Sequence, residues 1–134
     1  MKKSKKYLAN CLCGGIKVKI QGNLRYVSNC HCSQCMQTHG NFAAYTSCMS
    51  KDLTFLNKSS LRWYKSSNNA KRGFCNKCGA SIFFKRKDNP NISISAGMFQ
   101  KTTKLTTKNH IFTKGKMNYY KLDNKLPKYH RYHK

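Results

Sequence analysis

No long stretch of the chain repeats its apolar residues every three or four positions, the period of an amphipathic helix; what recurs is alternation. Ile16-Lys17-Val18-Lys19-Ile20 puts apolar and basic side chains on opposite faces, as a half-buried strand does. Gln21-Gly22-Asn23 is a turn signal, after which Leu24 to Asn29 can pair back on that strand. Phe42 to Met49, Leu53 to Leu56 and Leu61 to Tyr64 read as further short strands, and Ser66 to Asn69 as a loop. Ala80 to Phe84 and Asn91 to Ala96 are two more strands, joined through Lys87-Asp88-Asn89-Pro90. Helix is expected only as a short turn from Met36 to Gly40. The pattern predicts an all-β class: a small fold of short coiled antiparallel sheets with little helix. Residues 1–7 form a basic, flexible lead into it.

Length limits this to one domain, since 134 residues bury only a modest core. The basic opening MKKSKKYLANCLCGG is followed by no apolar run of the kind a signal peptide carries, and no stretch is long enough to span a membrane. The expected setting is therefore the cytoplasm, with no membrane partner. In a reducing cytosol the eight cysteines point to metal binding rather than disulfides.

Seven of the eight cysteines stand in close groups: Cys11/Cys13, Cys30/Cys32/Cys35 and Cys75/Cys78. The last is followed by Gly79, which permits the positive φ of a knuckle whose backbone N–H groups face the sulfurs. Cys13-Gly14-Gly15 has similar freedom. Zinc takes four ligands in a closed structural site and three plus an open place in a catalytic one, and seven divides as four plus three. Pairing the two remote pairs would tie the start of the domain to its middle, leaving Cys30, Cys32 and Cys35 with a fourth place to fill. Either that place is open, or Cys48, His31 or His39 closes it. Three thiolates leave a divalent ion at net −1, which disfavours ionising a bound water and favours another sulfur as ligand. A thiol substrate suits such a site. A free catalytic Cys48 beside a structural zinc, as in sulfoxide reductases, is a rival reading.

These residues resemble a known family, the glutathione-dependent formaldehyde-activating enzymes, which include centromere protein V. The resemblance rests on Cys11-Leu12-Cys13-Gly14-Gly15, Cys30-His31-Cys32-Ser33-Gln34-Cys35, Phe42-Ala43-Ala44-Tyr45 and Arg72-Gly73-Phe74-Cys75-Asn76-Lys77-Cys78-Gly79-Ala80. It extends to Ser93–Phe99, His110-Ile111-Phe112 and Leu126-Pro127, and implies a single zinc domain over residues 8–130. It implies a fold of coiled β-sheets with two zinc ions per chain. One is structural, on Cys11, Cys13, Cys75 and Cys78; the other is catalytic, on Cys30, Cys32 and Cys35. The implied activity is that of a carbon–sulfur lyase that forms or breaks S-(hydroxymethyl)glutathione. Glutathione, or another small thiol adduct, is then the small-molecule partner. His31, His39, Tyr45 and His110 lie near the motifs, either as packed residues or as proton donors.

Charge adds a second class of partner. Twenty-seven Lys and Arg face three acids, Asp52, Asp88 and Asp123, giving a net charge of +24. The absence of Glu excludes the Glu-dependent zinc proteases and nucleobase deaminases. Either that charge reflects a compositional bias towards Lys and Asn, or the basic surface meets a polyanion or nucleic acid. The segment from about residue 101 carries ten Lys or Arg together with Phe112, Tyr119, Tyr120, Tyr129 and Tyr132. Its aromatics either pack back on the β fold or interleave with the cations as a nucleic-acid surface. On that alternative the chain is a basic nucleic-acid-associated zinc module without catalysis.

Overall fold

The computed structural model describes residues 5–99, 103–122 and 125–132. Lys101 and Asp123, named above, and residues 1–4 of the basic lead lie outside the described residues. The fold is all-β: ten strands and a single α-helix make up the regular structure of the described residues, with a few 3-10 turns. The chain divides into two compact units. One is built from Met1–Arg25 and Thr46–Lys104, the other from Tyr26–Tyr45 and Leu105–Lys134.

In the first unit β1 (Lys6–Asn10), β2 (Lys17–Gln21) and β5 (Leu53–Asn57) form an antiparallel sheet with β2 in the middle. β1 takes Lys6 and Tyr7 out of the flexible lead expected over residues 1–7. The alternation read in β2 holds: Val18 and Ile20 are buried while Lys17 and Gln21 are exposed. A second ladder runs β6 (Leu61–Lys65), β7 (Ala70–Cys75), β8 (Ser81–Arg86) and β9 (Asn91–Ser95), each strand antiparallel to the next. Ile16, Val18, Ile20, Ile82, Phe83, Ile92 and Ile94 form the core, together with Cys11, Cys48 and Cys75. Phe83 lies at its centre, against Trp63 (ring centroids 5.9 Å) and Phe55 (5.8 Å).

In the second unit β3 (Val27–Cys30) pairs antiparallel with the first residues of β4 (Ala43–Met49) and parallel with β10 (Thr107–Ile111). The expected hairpin of Leu24–Asn29 on Ile16–Ile20 is therefore not formed. Both edges of β2 are occupied by β1 and β5, and β3 buries polar side chains that find their partners elsewhere: Ser28 Oγ donates to Asn109 Oδ1 of β10. Helix α1 (Ser33–His39) begins three residues earlier than the turn expected from Met36. It stops at Gly40, whose left-handed φ of 90° lets its N–H reach Met36 O at 2.8 Å.

Candidate metal centres

Two groups of cysteines gather their sulfurs, each within one unit. In the first unit the Sγ atoms of Cys11, Cys13, Cys75 and Cys78 all lie within 4.8 Å of one another. Cys11 and Cys13 follow β1; Cys75 ends β7, and Cys78 lies in the turn to β8. The separations of Cys11 from Cys13 (3.7 Å) and of Cys13 from Cys75 (3.5 Å) are far beyond a disulfide bond of about 2.05 Å. They approach the edge of a sulfur tetrahedron around zinc, about 3.8 Å for bonds of about 2.3 Å. Backbone N–H groups of Ile16 and Gly15 donate to Cys11 and Cys13, and those of Lys77 and Cys78 to Cys75. Gly79 adopts the positive φ (+77°) that its knuckle requires. Gly15 is needed for a different reason: a Cβ there would sit 2.1 Å from Ser60 Oγ, which itself lies 3.1 Å from Cys75 Sγ.

These donors set the protonation of the group. Burial opposes ionisation of Cys75, but the Cys78 N–H, Ser60 and the Lys77 N–H outweigh it and bring the thiol down to about 5. Cys78 is also lowered, first by a backbone hydrogen bond. At Cys13 the Gly15 N–H favours the thiolate, yet the neighbouring Cys75 sulfur, burial and Cys11 together push it up to about 11. The cluster thus shares negative charge among four sulfurs, a donor set that fits a soft divalent cation.

In the second unit the sulfurs of Cys30, Cys32 and Cys35 also lie within 4.8 Å of one another. Cys30 ends β3, and Cys32 caps α1 by accepting the Cys35 N–H at 3.3 Å. Cys30 holds its proton well above the usual thiol range because it shares it with Cys32 and Cys35 and because it is buried. Among the described residues no fourth His, Cys, Asp or Glu joins this group. The other candidates for a fourth ligand, Cys48, His39 and His31, are engaged elsewhere. Cys48 lies in the core of the first unit, its thiol pushed up to about 11 by burial and then by Asp52. His39 Nε2 meets Tyr45 Oη at 3.1 Å. His31, between two of the cysteines in sequence, is wholly buried; its Nδ1 lies 2.6 Å from Tyr120 Oη and its Nε2 3.0 Å from His110 Nδ1. Burial, then His110 and Lys116, bring His31 down to about 4, so it is neutral near pH 7.

In the sequence His31 and His110 are only neighbours of motifs and Tyr120 is one aromatic of the basic segment; in the fold the two histidines meet. Tyr120 in fact stacks on His31 (centroids 5.6 Å, 23°) and approaches Phe42. No local signal announces a contact across 89 positions.

The model of the family described as glutathione-dependent formaldehyde-activating enzyme matches residues 6–115. The chain belongs to that family. An uncharacterized lyase of Schizosaccharomyces pombe is 31% identical to this formaldehyde-activating enzyme relative over 121 residues, covering 89% of this chain and 87% of that protein. The crystal structure of a Rhodobacter sphaeroides protein superposes with a TM-score of 0.59 at 21% identity, over 75% of this chain and 99% of the other. At that identity the likeness supports the fold alone. Both cysteine groups fall inside the matched residues.

Proposed function

We propose that the protein is a zinc-dependent carbon–sulfur lyase acting on glutathione–aldehyde adducts. Cys11, Cys13, Cys75 and Cys78 hold a structural zinc in this reading, and Cys30, Cys32 and Cys35 hold a catalytic one. The observation that carries it is the three-sulfur group, whose possible fourth ligands Cys48, His31 and His39 are all committed elsewhere. Zinc bound to those three sulfurs would supply a soft Lewis acid that favours a substrate sulfur over water. In the forward direction the glutathione sulfur bonds to the aldehyde carbon, the C=O π pair moves to oxygen, and the thiol proton ends on that oxygen. The reverse breaks the same C–S bond and returns the proton to sulfur. His31, neutral and held at both ring nitrogens, keeps the Cys30–Cys32 turn in place and is not available as a ligand. Membership of an enzyme family and the lyase name of the yeast relative support the reaction class.

The test is calorimetric titration of glutathione into zinc-loaded protein, with S-methylglutathione as the control. The proposal expects the free thiol to bind and the capped one not to. Equal binding of both, or of neither, would overturn it.

A further inference from the structure

The second unit carries a concavity of about 490 Å³ that the lyase reading does not use, lined by Lys114, Lys128, Tyr129, His130, Arg131 and Tyr132. Its size lies in the range of small-ligand sites. Three of its six residues are permanent cations, two are tyrosines, and none is a carboxylate. It is also built rather than draped. The Phe112 N–H donates to Arg131 O (2.9 Å), the Thr113 N–H to Tyr129 O (3.0 Å) and the Tyr129 N–H to His110 O (2.9 Å), so the stretch bearing the cations is fastened to the end of β10. Phe112 sits in the left-handed region (φ 53°), rare for a bulky side chain, and its ring meets Tyr132 edge-on at 4.8 Å. Tyr132 is braced on one side while 53% exposed.

We infer that this concavity binds single-stranded nucleic acid, its cations meeting phosphates and its tyrosines stacking a base. Three considerations select that ligand. The chain's +24 charge attracts polyanions from a distance, and among the described residues the cations here meet no opposing carboxylate in the lining. A braced, exposed aromatic beside cations suits a base with its own phosphate better than an acidic peptide, which has no flat face to stack. A duplex hides its base faces, so only an unpaired strand uses both halves of the site.

The experiment is fluorescence anisotropy of the zinc-loaded full chain with a labelled single-stranded oligonucleotide, its duplex, and AMP and polyphosphate as competitors. The double variant Lys114→Glu/Arg131→Glu should weaken single-strand binding and flatten the log affinity against log salt slope by about 1.4, roughly 0.7 for each of two phosphates lost. Tyr132→Ala should weaken single-strand binding by about fivefold to a hundredfold while leaving polyphosphate binding unchanged. Lys51→Glu/Lys65→Glu, two exposed lysines of the first unit, makes the same change in net charge and should matter far less. Arg131→Gln repeats the test with minimal change of shape if charge reversal disturbs folding. Equal losses in the two double variants would overturn the inference, leaving diffuse charge only. So would duplex binding as tight as single-strand binding with Tyr132→Ala silent, or complete competition by AMP at concentrations matched in phosphate.

Discussion

At the scale of residues, Cys48 and Tyr120 divide the sulfur chemistry from its supports. Cys48 is 4% exposed and packed among isoleucines, and its thiol is raised from 9.0 to about 11 by burial. The folded state holds that proton more tightly than the unfolded one, so this contribution to stability is complete below pH 9.0 and is lost as pH rises towards 11. Native protein at pH 8 should therefore leave Cys48 unalkylated by iodoacetamide, as peptide mass mapping would report. Cys48→Ser should cost about 1–3 kcal/mol in denaturant unfolding, from a hydroxyl placed in apolar surroundings, with metal content unchanged. Tyr120→Phe removes the hydroxyl from buried His31 Nδ1 and should cost about 1–3 kcal/mol. Because His31 adjoins both Cys30 and Cys32, chelator competition on this variant should strip metal faster from the three-sulfur group than from the four-sulfur one. Equal rates at the two would separate Tyr120 from the site.

At the scale of elements, β7 shows what periodicity misses. Its sequence Ala-Lys-Arg-Gly-Phe-Cys has no apolar alternation, and a mid-strand glycine reads as a weakness. The glycine is there for close approach. A Cβ at Gly73 would stand 3.0 Å from both Phe83 and Trp63, whose rings fill that space. Gly73→Ala should overpack this contact and cost about 1–3 kcal/mol, measured as a lowered denaturation midpoint. β10 was equally silent, since Thr-Lys-Asn-His-Ile buries Asn109 and His110 through hydrogen bonds rather than apolar surface. By contrast β2, β5, β6, β8 and β9 were legible, because each turns Val, Ile, Leu or aromatic residues to a core, and β4 was legible as an uncharged run holding Tyr45 and Cys48. The cysteine groups were legible too, since ligands two or three residues apart are fixed by local turn geometry. Their supports, Ser60, His110 and Tyr120, come from far along the chain and leave no local trace.

At the scale of the molecule, the two sulfur groups differ in what their metal would hold together. The four-sulfur group joins Cys13 to Cys75, 62 positions apart, inside the first unit; the three-sulfur group spans a single turn. Closing a long loop with metal stabilises far more than capping a local one. Cys75→Ser should therefore lower the thermal midpoint sharply and cost the first unit its cooperative melt. On the proposed zinc assignment, Cys32→Ser should keep a melt close to that of the wild type while metal per chain falls from two to one. Circular dichroism and elemental analysis read both, and the reverse pattern would exchange the structural and catalytic assignments.

The second unit is assembled from two stretches of chain, and this bears on how the protein is made. During translation Cys30, Cys32 and Cys35 leave the ribosome together and can capture an ion as soon as they do. His110, which meets His31 across 79 positions, emerges only after all of the first unit has been synthesised, and Tyr120 later still. The first of the two cysteine groups to be completed is thus the last to be buttressed, and a metal taken up early would be held, for most of synthesis, by a loop whose supporting histidine and tyrosine do not yet exist.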